Sequence, residues 1–410
     1  MGREAIYLFL VKVISALLGF FIIAVISKNL SSEVVGSYMF LIALSNTIIP
    51  FSLMGLGHHL LSDVDKFNSN ALTFSLVILI SSIILTLCVS FYLFYFEEFE
   101  LNLLIVFLVV TVLASLSDYF SYIYQFFRKA WVGGGFLLNL RQIIFLLFLI
   151  FWSSEIDLYS IFLALAFSSI VGLSAGIFYF LKMKFELCFK FEIGYIWTSI
   201  RQAKDFFVSH VIGTFNGNLL PLYVGAFLGT THVAYFGIAL KIVALSSFVL
   251  VPLNRVIAPR YAKSFKSENT LELTSNAKFS ARMALLFAIP FTLFISINSE
   301  FVLSFFGDEY SIGAKSILLI MLVGQFVNIA SGSVGWLLQM TGSAKFYRNL
   351  SIVNFVFLVL FTPFSIIFLG LKGAAISYSF SLVFMNLISA FVVYKRLGIN
   401  IYNFIGVKND

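Results

Sequence analysis

The chain has 410 residues, of which 60% are hydrophobic and only 11% are charged, and its formal net charge is +7. Soluble domains carry roughly a quarter charged residues, so this chain lacks the polar side chains that would cover a water-exposed surface. Two lone cysteines, Cys88 and Cys188, give neither a disulfide framework nor a metal site. The composition therefore excludes a soluble globular protein and indicates a polytopic membrane protein.

Apolar segments long enough to cross a bilayer recur along the whole chain. They must be helices, because lipid offers no hydrogen-bond partner to backbone amides. The first contains Lys12 and lacks a small-residue cleavage site, so we interpret it as a retained span rather than a signal peptide. Twelve spans are predicted, at 5–27, 34–57, 71–96, 101–127, 133–153, 157–181, 205–229, 233–254, 280–298, 314–340, 349–369 and 373–394.

The distribution of Lys and Arg predicts the orientation of these spans. Of the 26 such residues, only Lys28, Lys315 and Lys372 lie in the turns of one side, and Lys12, Arg141 and Lys241 lie within spans. All the others fall on the side that holds the N-terminus. Basic residues concentrate in cytoplasmic loops, so both termini are predicted to be cytoplasmic.

The predicted domains are a six-helix lobe at 1–181, a cytoplasmic linker at 182–204, and a second six-helix lobe with a short tail at 205–410. In the linker, Ile193, Ile196, Trp197 and Ile200 share one helical face, which is typical of an interfacial amphipathic helix.

A faint internal repeat relates the two lobes. At an offset of 198, Leu30, Val35 and Gly36 recur as Leu228, Val233 and Ala234, and Lys12 falls on His210. A second similarity, at an offset of 214, relates residues 124–130 to residues 338–344. Six spans return the chain to its starting side, so the repeat is parallel, with its pseudo-twofold axis along the membrane normal. Parallel duplicated bundles are a transporter architecture with a substrate site between the halves, where Lys12 and His210 are expected to face each other.

Charged side chains within spans are costly and need a reason to be there. Arg141, Lys12 and Lys241 are candidates to line a water-filled cleft and bind substrate, although lysines near an interface can also snorkel. Asp118 lies deep in its span and either pairs with a cation such as Arg141 or exchanges a proton. Arg128 and Lys129, at the inner mouth, are candidates to capture an anionic head group.

Helix seven is unusually polar for a span. His210 is a candidate cleft residue through its relation to Lys12, with core packing as the alternative interpretation. Asn216 and Asn218, near Gly213 and Gly217, suggest a bend that faces water, although small residues also serve helix packing. The sequence contains no catalytic constellation, phosphate-binding glycine-rich loop or metal-ligand cluster, so we expect neither an enzyme nor a bound cofactor.

The chain resembles the Wzx-type O-antigen and polysaccharide repeat-unit flippases, within the superfamily that includes the multidrug and toxic compound exporters. The resemblance covers nearly the whole chain. Its motifs are Leu30-Ser31-Ser32-Glu33-Val34-Val35-Gly36-Ser37-Tyr38, Gly55-Leu56-Gly57, Gly229-Thr230-Thr231-His232-Val233-Ala234-Tyr235-Phe236, Phe306-Gly307-Asp308-Glu309-Tyr310, Ile317-Leu318, Gly324-Gln325 and Leu338-Gln339-Met340-Thr341-Gly342.

This resemblance implies two six-helix lobes around a cationic cleft in the bacterial inner membrane. It also implies transport of undecaprenyl-pyrophosphate with its repeat unit to the periplasmic leaflet, with polymerase and chain-length proteins of the pathway as partners and no nucleic acid. Two alternatives remain open: a multidrug or cation antiporter of the same superfamily, and a membrane-embedded polymerase. A cation exporter should line its cleft with carboxylates, and a polymerase should carry a large outer loop.

Overall fold

The computed structural model describes residues 2–62, 67–127, 129, 131–151, 156–182 and 193–402, and these residues form helices without any strand. Among the described residues, nine helical segments are long and apolar enough to cross a membrane, and three shorter apolar helices accompany them: Leu137–Phe151, Thr230–Leu245 and Lys315–Ala330. Each of the twelve predicted spans is overlapped by at least one of these segments. The all-α membrane fold with about twelve spans is therefore confirmed.

The chain divides into two compact units, Met1–Leu222 and Tyr223–Asp410. In unit one, α5 packs against α4 and α7, and α6 packs against α1 and α7. Its helices are α1 (Gly2–Asn29), α2 (Ser32–Leu53), α3 (Leu56–Ser62), α4 (Phe67–Phe96), α5 (Leu101–Phe126), α6 (Leu137–Phe151), α7 (Leu158–Lys182), α8 (Ile193–Gln202) and the first part of α9 (Lys204–Leu228).

Unit two is built around α15, which packs against α10, α12 and α18. Its helices are the end of α9, then α10 (Thr230–Leu245), α11 (Leu250–Lys266), α12 (Thr270–Ile297), α13 (Ser299–Ser304), α14 (Asp308–Gly313), α15 (Lys315–Ala330), α16 (Val334–Leu338), α17 (Ala344–Leu369) and α18 (Leu371–Leu397). A π-helical turn precedes α6 in unit one, at Val132–Phe136, and another precedes α17 in unit two, at Gln339–Ser343. This shared break agrees with a parallel repeat.

Buried aromatic side chains fix the core of unit one. Tyr119 and Tyr124 of α5 are fully buried, and their hydroxyls donate hydrogen bonds to the carbonyls of Ala71 (2.9 Å) and Gly176 (2.6 Å). A buried phenol hydroxyl needs such a partner, so these bonds fix the positions of α4 and α7 along the axis of α5.

The predicted amphipathic helix is present as α8. Its Tyr195 and Ile200 pack against the core of unit one, and the Tyr195 ring stacks parallel to that of Phe74 at 6.4 Å between ring centres. Trp197 remains 70% exposed, as suits an anchor at a membrane interface. The linker residues 183–192 lie outside the described residues.

The division between the units falls within α9, one residue after Pro221. The first part of α9 packs against α2, as seen in the contacts of the Phe51 ring with the rings of Phe207 (5.7 Å) and Phe215 (6.0 Å). The lobe boundary at 182–204 that the sequence suggests stays a prediction.

Candidate functional site

His58 is the centre of a polar cluster inside unit one. Its Nε2 lies 3.2 Å from the hydroxyl of Tyr122 on α5, and the two rings meet edge to face with 4.8 Å between their centres. On its other side, the ring stacks on Phe206 at 5.5 Å and meets His210 at 6.0 Å, both on α9. His58 therefore lies at a seam where α3 meets α5 and α9.

Two glycines allow α3 to approach these neighbours. The chain leaves α2 through left-handed conformations at Met54 (φ 48°) and Gly55 (φ 75°). A Cβ on Gly55 would lie 2.6 Å from the carbonyl oxygen of Ala203, and a Cβ on Gly57 would lie 2.5 Å from the ring of Tyr122. Only residues without a side chain fit at these two positions, and His58 follows directly after them.

Asp118 belongs to the same cluster. It lies four residues before Tyr122 on α5, so the two side chains share a face of that helix. The carboxylate interacts electrostatically with His58 and with Lys12 of α1. It forms no ion pair with Arg141 among the residues the structure describes. Of the predicted site residues, the structure thus brings Asp118 and His210 near His58, and Lys12 near Asp118.

Lys12 and Arg141 both lie away from the apolar stripes of their helices. The exposed large apolar residues of α1 follow a helical spacing, and so do those of α6, as expected of surfaces that face lipid. Lys12 lies two residues before Ile14, and Arg141 lies two residues before Ile143. In a helix with 3.6 residues per turn, two residues correspond to a rotation of about 200° around the helix axis, so each cation lies on the side of its helix opposite to that apolar residue. The stripes are Tyr7, Leu10, Ile14, Leu17 and Phe21 on α1, and Ile143, Leu147 and Ile150 on α6.

Arg141 packs closely against a glycine. A Cβ on Gly172 of α7 would lie 3.4 Å from the Cβ of Arg141, so the side chain rises over the small residue. The guanidinium interacts electrostatically with the buried Tyr38 of α2. Within the described part of the chain, it has no hydrogen bond and no ion pair. It can therefore offer its donors to a ligand.

Lys241 lies in unit two on α10. Half of the residues of this helix are buried, and none of its large apolar side chains is among the exposed ones, whereas Lys241 itself is exposed. Lys241 is thus not part of an apolar, lipid-facing stripe of its own helix.

The two asparagines of α9 differ in their bonding. Asn218 donates to the carbonyl of Thr214 (2.9 Å) and accepts from the amide of Asn46 on α2 (3.4 Å), which ties α9 to α2. The side-chain oxygen of Asn216 is buried and accepts no hydrogen bond within the described residues. Asn218 therefore has a structural partner, whereas Asn216 is left with an unused acceptor.

The inner-mouth residues are only partly described. The ammonium of Lys129 donates a hydrogen bond to the Tyr179 hydroxyl at 3.2 Å and lies 5.2 Å from the centre of that ring. It is thus held against α7 while keeping donors available. Arg128 lies outside the described residues.

Comparison with known proteins decides the family. The model for the family described as "Polysaccharide biosynthesis protein" matches residues 1–265, and the MatE model matches residues 207–367. The chain belongs to the polysaccharide biosynthesis protein family. This agrees with the resemblance seen in the sequence motifs, and the second match reflects the wider superfamily.

Two curated relatives are similar to this chain. The capsular polysaccharide biosynthesis protein CapF of Staphylococcus aureus is 22% identical over 403 residues, which cover 95% of this chain and 98% of CapF. A candidate O-antigen transporter of Shigella flexneri is 25% identical over 163 residues, which cover 39% of this chain and 38% of that protein.

Solved structures support the fold. A multidrug resistance MATE family transporter of the MOP superfamily, in an inward-facing conformation, matches with a TM-score of 0.73 at 15% identity and covers 94% of both chains. The lipid II flippase MurJ, in an inward closed conformation, matches with a TM-score of 0.70 at 16% identity, over 95% of this chain and 87% of MurJ. The chain thus has the fold of membrane transporters and flippases.

Proposed function

We propose that this chain is a flippase that moves undecaprenyl-pyrophosphate with its oligosaccharide repeat unit from the cytoplasmic to the periplasmic leaflet, for O-antigen or related surface polysaccharide synthesis. The observation that carries the proposal is Arg141. Its guanidinium lies within a span, is turned away from the lipid-facing stripe of α6, and has no hydrogen-bond or ion-pair partner among the described residues. An arginine in a span is costly unless water or an anion compensates its charge.

A pyrophosphate supplies the anion that such a site requires. Guanidinium binds phosphate oxygens through two parallel charge-assisted hydrogen bonds, whereas lysine acts as a point charge. In the proposal, Arg141 orients the pyrophosphate, and Lys12 of the same unit attracts it. Lys241 is proposed separately, as a cation that the substrate meets in unit two. His210, Asn216 and Asn218 supply polar contacts, and Lys129 and Arg128 gather the head group at the inner mouth.

Transport in this proposal needs no chemical step. The two halves would alternate in access to the two sides of the inner membrane, with both termini in the cytoplasm as the distribution of basic residues predicts. The proteins that polymerise the repeat unit and set the length of the polymer are the expected partners of the pathway.

A multidrug or cation exporter is the second candidate, because the MatE model matches residues 207–367. Away from the first few residues of the predicted spans, however, three basic residues accompany the single acidic residue Asp118. A lipophilic cation would meet repulsion from Lys12, Arg141 and Lys241, so the charge balance favours an anionic substrate.

Thermal unfolding in detergent separates the two candidates. A ligand present at about 100 times its Kd stabilises the folded protein by about 2.7 kcal/mol. We expect undecaprenyl pyrophosphate to raise Tm by several degrees, and we expect neither undecaprenol, which lacks the charge, nor the lipophilic cation tetraphenylphosphonium to do so. Stabilisation by the cation and not by the pyrophosphate would favour the exporter.

A further inference from the structure

The His58 cluster contains three side chains that the flippase proposal does not use, those of His58, Tyr122 and Asp118. Tyr122 contacts a histidine on α3 and shares a face of its own helix with a carboxylate. Its hydroxyl is 3.2 Å from Nε2 of His58, and Asp118 lies one helical turn earlier on the same face of α5. A phenol hydroxyl carries one hydrogen and can accept hydrogen bonds as well, so it can serve either neighbour as donor.

The ionisable groups around His58 have opposite effects on the protonation of its imidazole. Asp118 interacts electrostatically with His58, and an adjacent carboxylate favours a protonated imidazole. His210 presents a second imidazole with 6.0 Å between the ring centres, and a positive charge on either ring disfavours one on the other. Lys12 lies near Asp118 and offsets part of its charge. The neighbouring His59 is buried and turned toward Phe74, at 6.3 Å between ring centres.

We propose that His58, Tyr122, Asp118 and His210 form a binding site for a single proton. In the unprotonated state, the Tyr122 hydroxyl donates to Nε2 of His58. When a proton binds to Nε2, the new N–H donates to the oxygen of Tyr122, and Tyr122 turns its own hydrogen toward Asp118. The hydrogen bond between His58 and Tyr122 persists with its direction reversed. The second histidine stays neutral, because the pair cannot hold two charges at this separation at low cost.

Proton binding at His58 acts on α9. The imidazole of His58 touches α9 through Phe206 and His210, and α9 continues past Leu222, the last residue of unit one. A charge on His58 changes its interactions at this seam, since it is repelled by any charge on His210 and attracted by Asp118. The site is therefore placed to couple the protonation state to the position of the first half of α9.

Histidine NMR tests this site directly, without any transport substrate. The chain has four histidines, so full-length protein labelled at histidine Cε1 and placed in phospholipid nanodiscs gives few signals. Single substitutions of histidine by glutamine assign them. His232 of α10, whose Nδ1 lies 2.8 Å from the carbonyl oxygen of Leu228, is the internal reference.

Two variants should move the His58 titration midpoint in opposite directions. Asp118→Asn removes the favourable negative charge and should lower the midpoint. His210→Gln removes the competing imidazole and should raise the midpoint. The Cε1 signal of His232 should be the same in both variants as in the wild type at each pH.

An unchanged His58 midpoint in His210→Gln would overturn the proposal, even if Asp118→Asn does not fold. Shifts in the same direction in both variants would overturn it as well. Because the readout is a proton and not a lipid, loss of the flippase proposal would leave this result unaffected.

Discussion

Arg141→Ala should abolish surface polysaccharide while the protein remains inserted and abundant. The side chain lies over Gly172, and its guanidinium makes no hydrogen bond or ion pair with the described residues, so truncation removes no such contact of the fold. What it removes is the two-pronged contact with a pyrophosphate. Arg141→Lys keeps the charge but not this geometry, and it should give a partial phenotype. Polymer on the cell surface and protein in the membrane fraction are measured together.

The matched control is Arg348→Ala, which removes an exposed arginine near the beginning of α17. It should leave both polymer and protein abundance close to wild type. If Arg141→Ala instead lowers polymer and protein in proportion, Arg141 is a structural residue and its assignment as a substrate contact is wrong.

Gly55→Val should be severely destabilising. The residue has φ 75°, a left-handed conformation that costs roughly 1–3 kcal/mol for a residue with a side chain. Its Cβ would also lie 2.6 Å from the carbonyl oxygen of Ala203 and 2.8 Å from the backbone nitrogen of Phe207. These are backbone atoms, so the clash is relieved only by moving α3 away from the beginning of α9. Thermal unfolding in detergent should show a Tm many degrees below wild type.

Gly213→Ala on α9 is the comparison for this effect. No heavy atom outside its local helix lies within 4 Å of the Cβ that it would add, and alanine favours a helix over glycine. This variant should therefore be as stable as the wild type or slightly more stable. Equal Tm values for Gly55→Val and Gly213→Ala would show that Gly55 does not hold the close approach described above.

The sequence predicts the spans well because a long apolar run in lipid has only the helix available to it. It also finds Arg141, since an arginine within a span stands out without any knowledge of its neighbours. The side of α6 on which Arg141 lies becomes clear only from the structure. There, the exposed apolar residues around Ile143 show which side of the helix faces lipid, and Arg141 lies on another side.

His58 escapes sequence reasoning for a different reason. Its partners Tyr122 and His210 lie 64 and 152 positions away along the chain, so no local spacing reveals them. The sequence does contain Gly55-Leu56-Gly57 immediately before His58. This motif indicates that the backbone lies close to another part of the protein, but it does not identify that part. Likewise, Lys129 looks like a free head-group ligand in the sequence, whereas its ammonium is held by Tyr179.

The central claim is that this chain carries an anionic, lipid-linked oligosaccharide across a bilayer, and a flipping assay in proteoliposomes tests it most directly. Undecaprenyl-pyrophosphate with a fluorescent oligosaccharide is distributed over both leaflets, and dithionite is added outside to bleach the accessible label. With the wild-type protein, the bleached fraction should rise from the outer-leaflet share toward completion. With Arg141→Ala, it should stop at the outer-leaflet share, as in protein-free vesicles. Bleaching by the wild-type protein that also stops at that share, with the protein folded and inserted, would contradict the account.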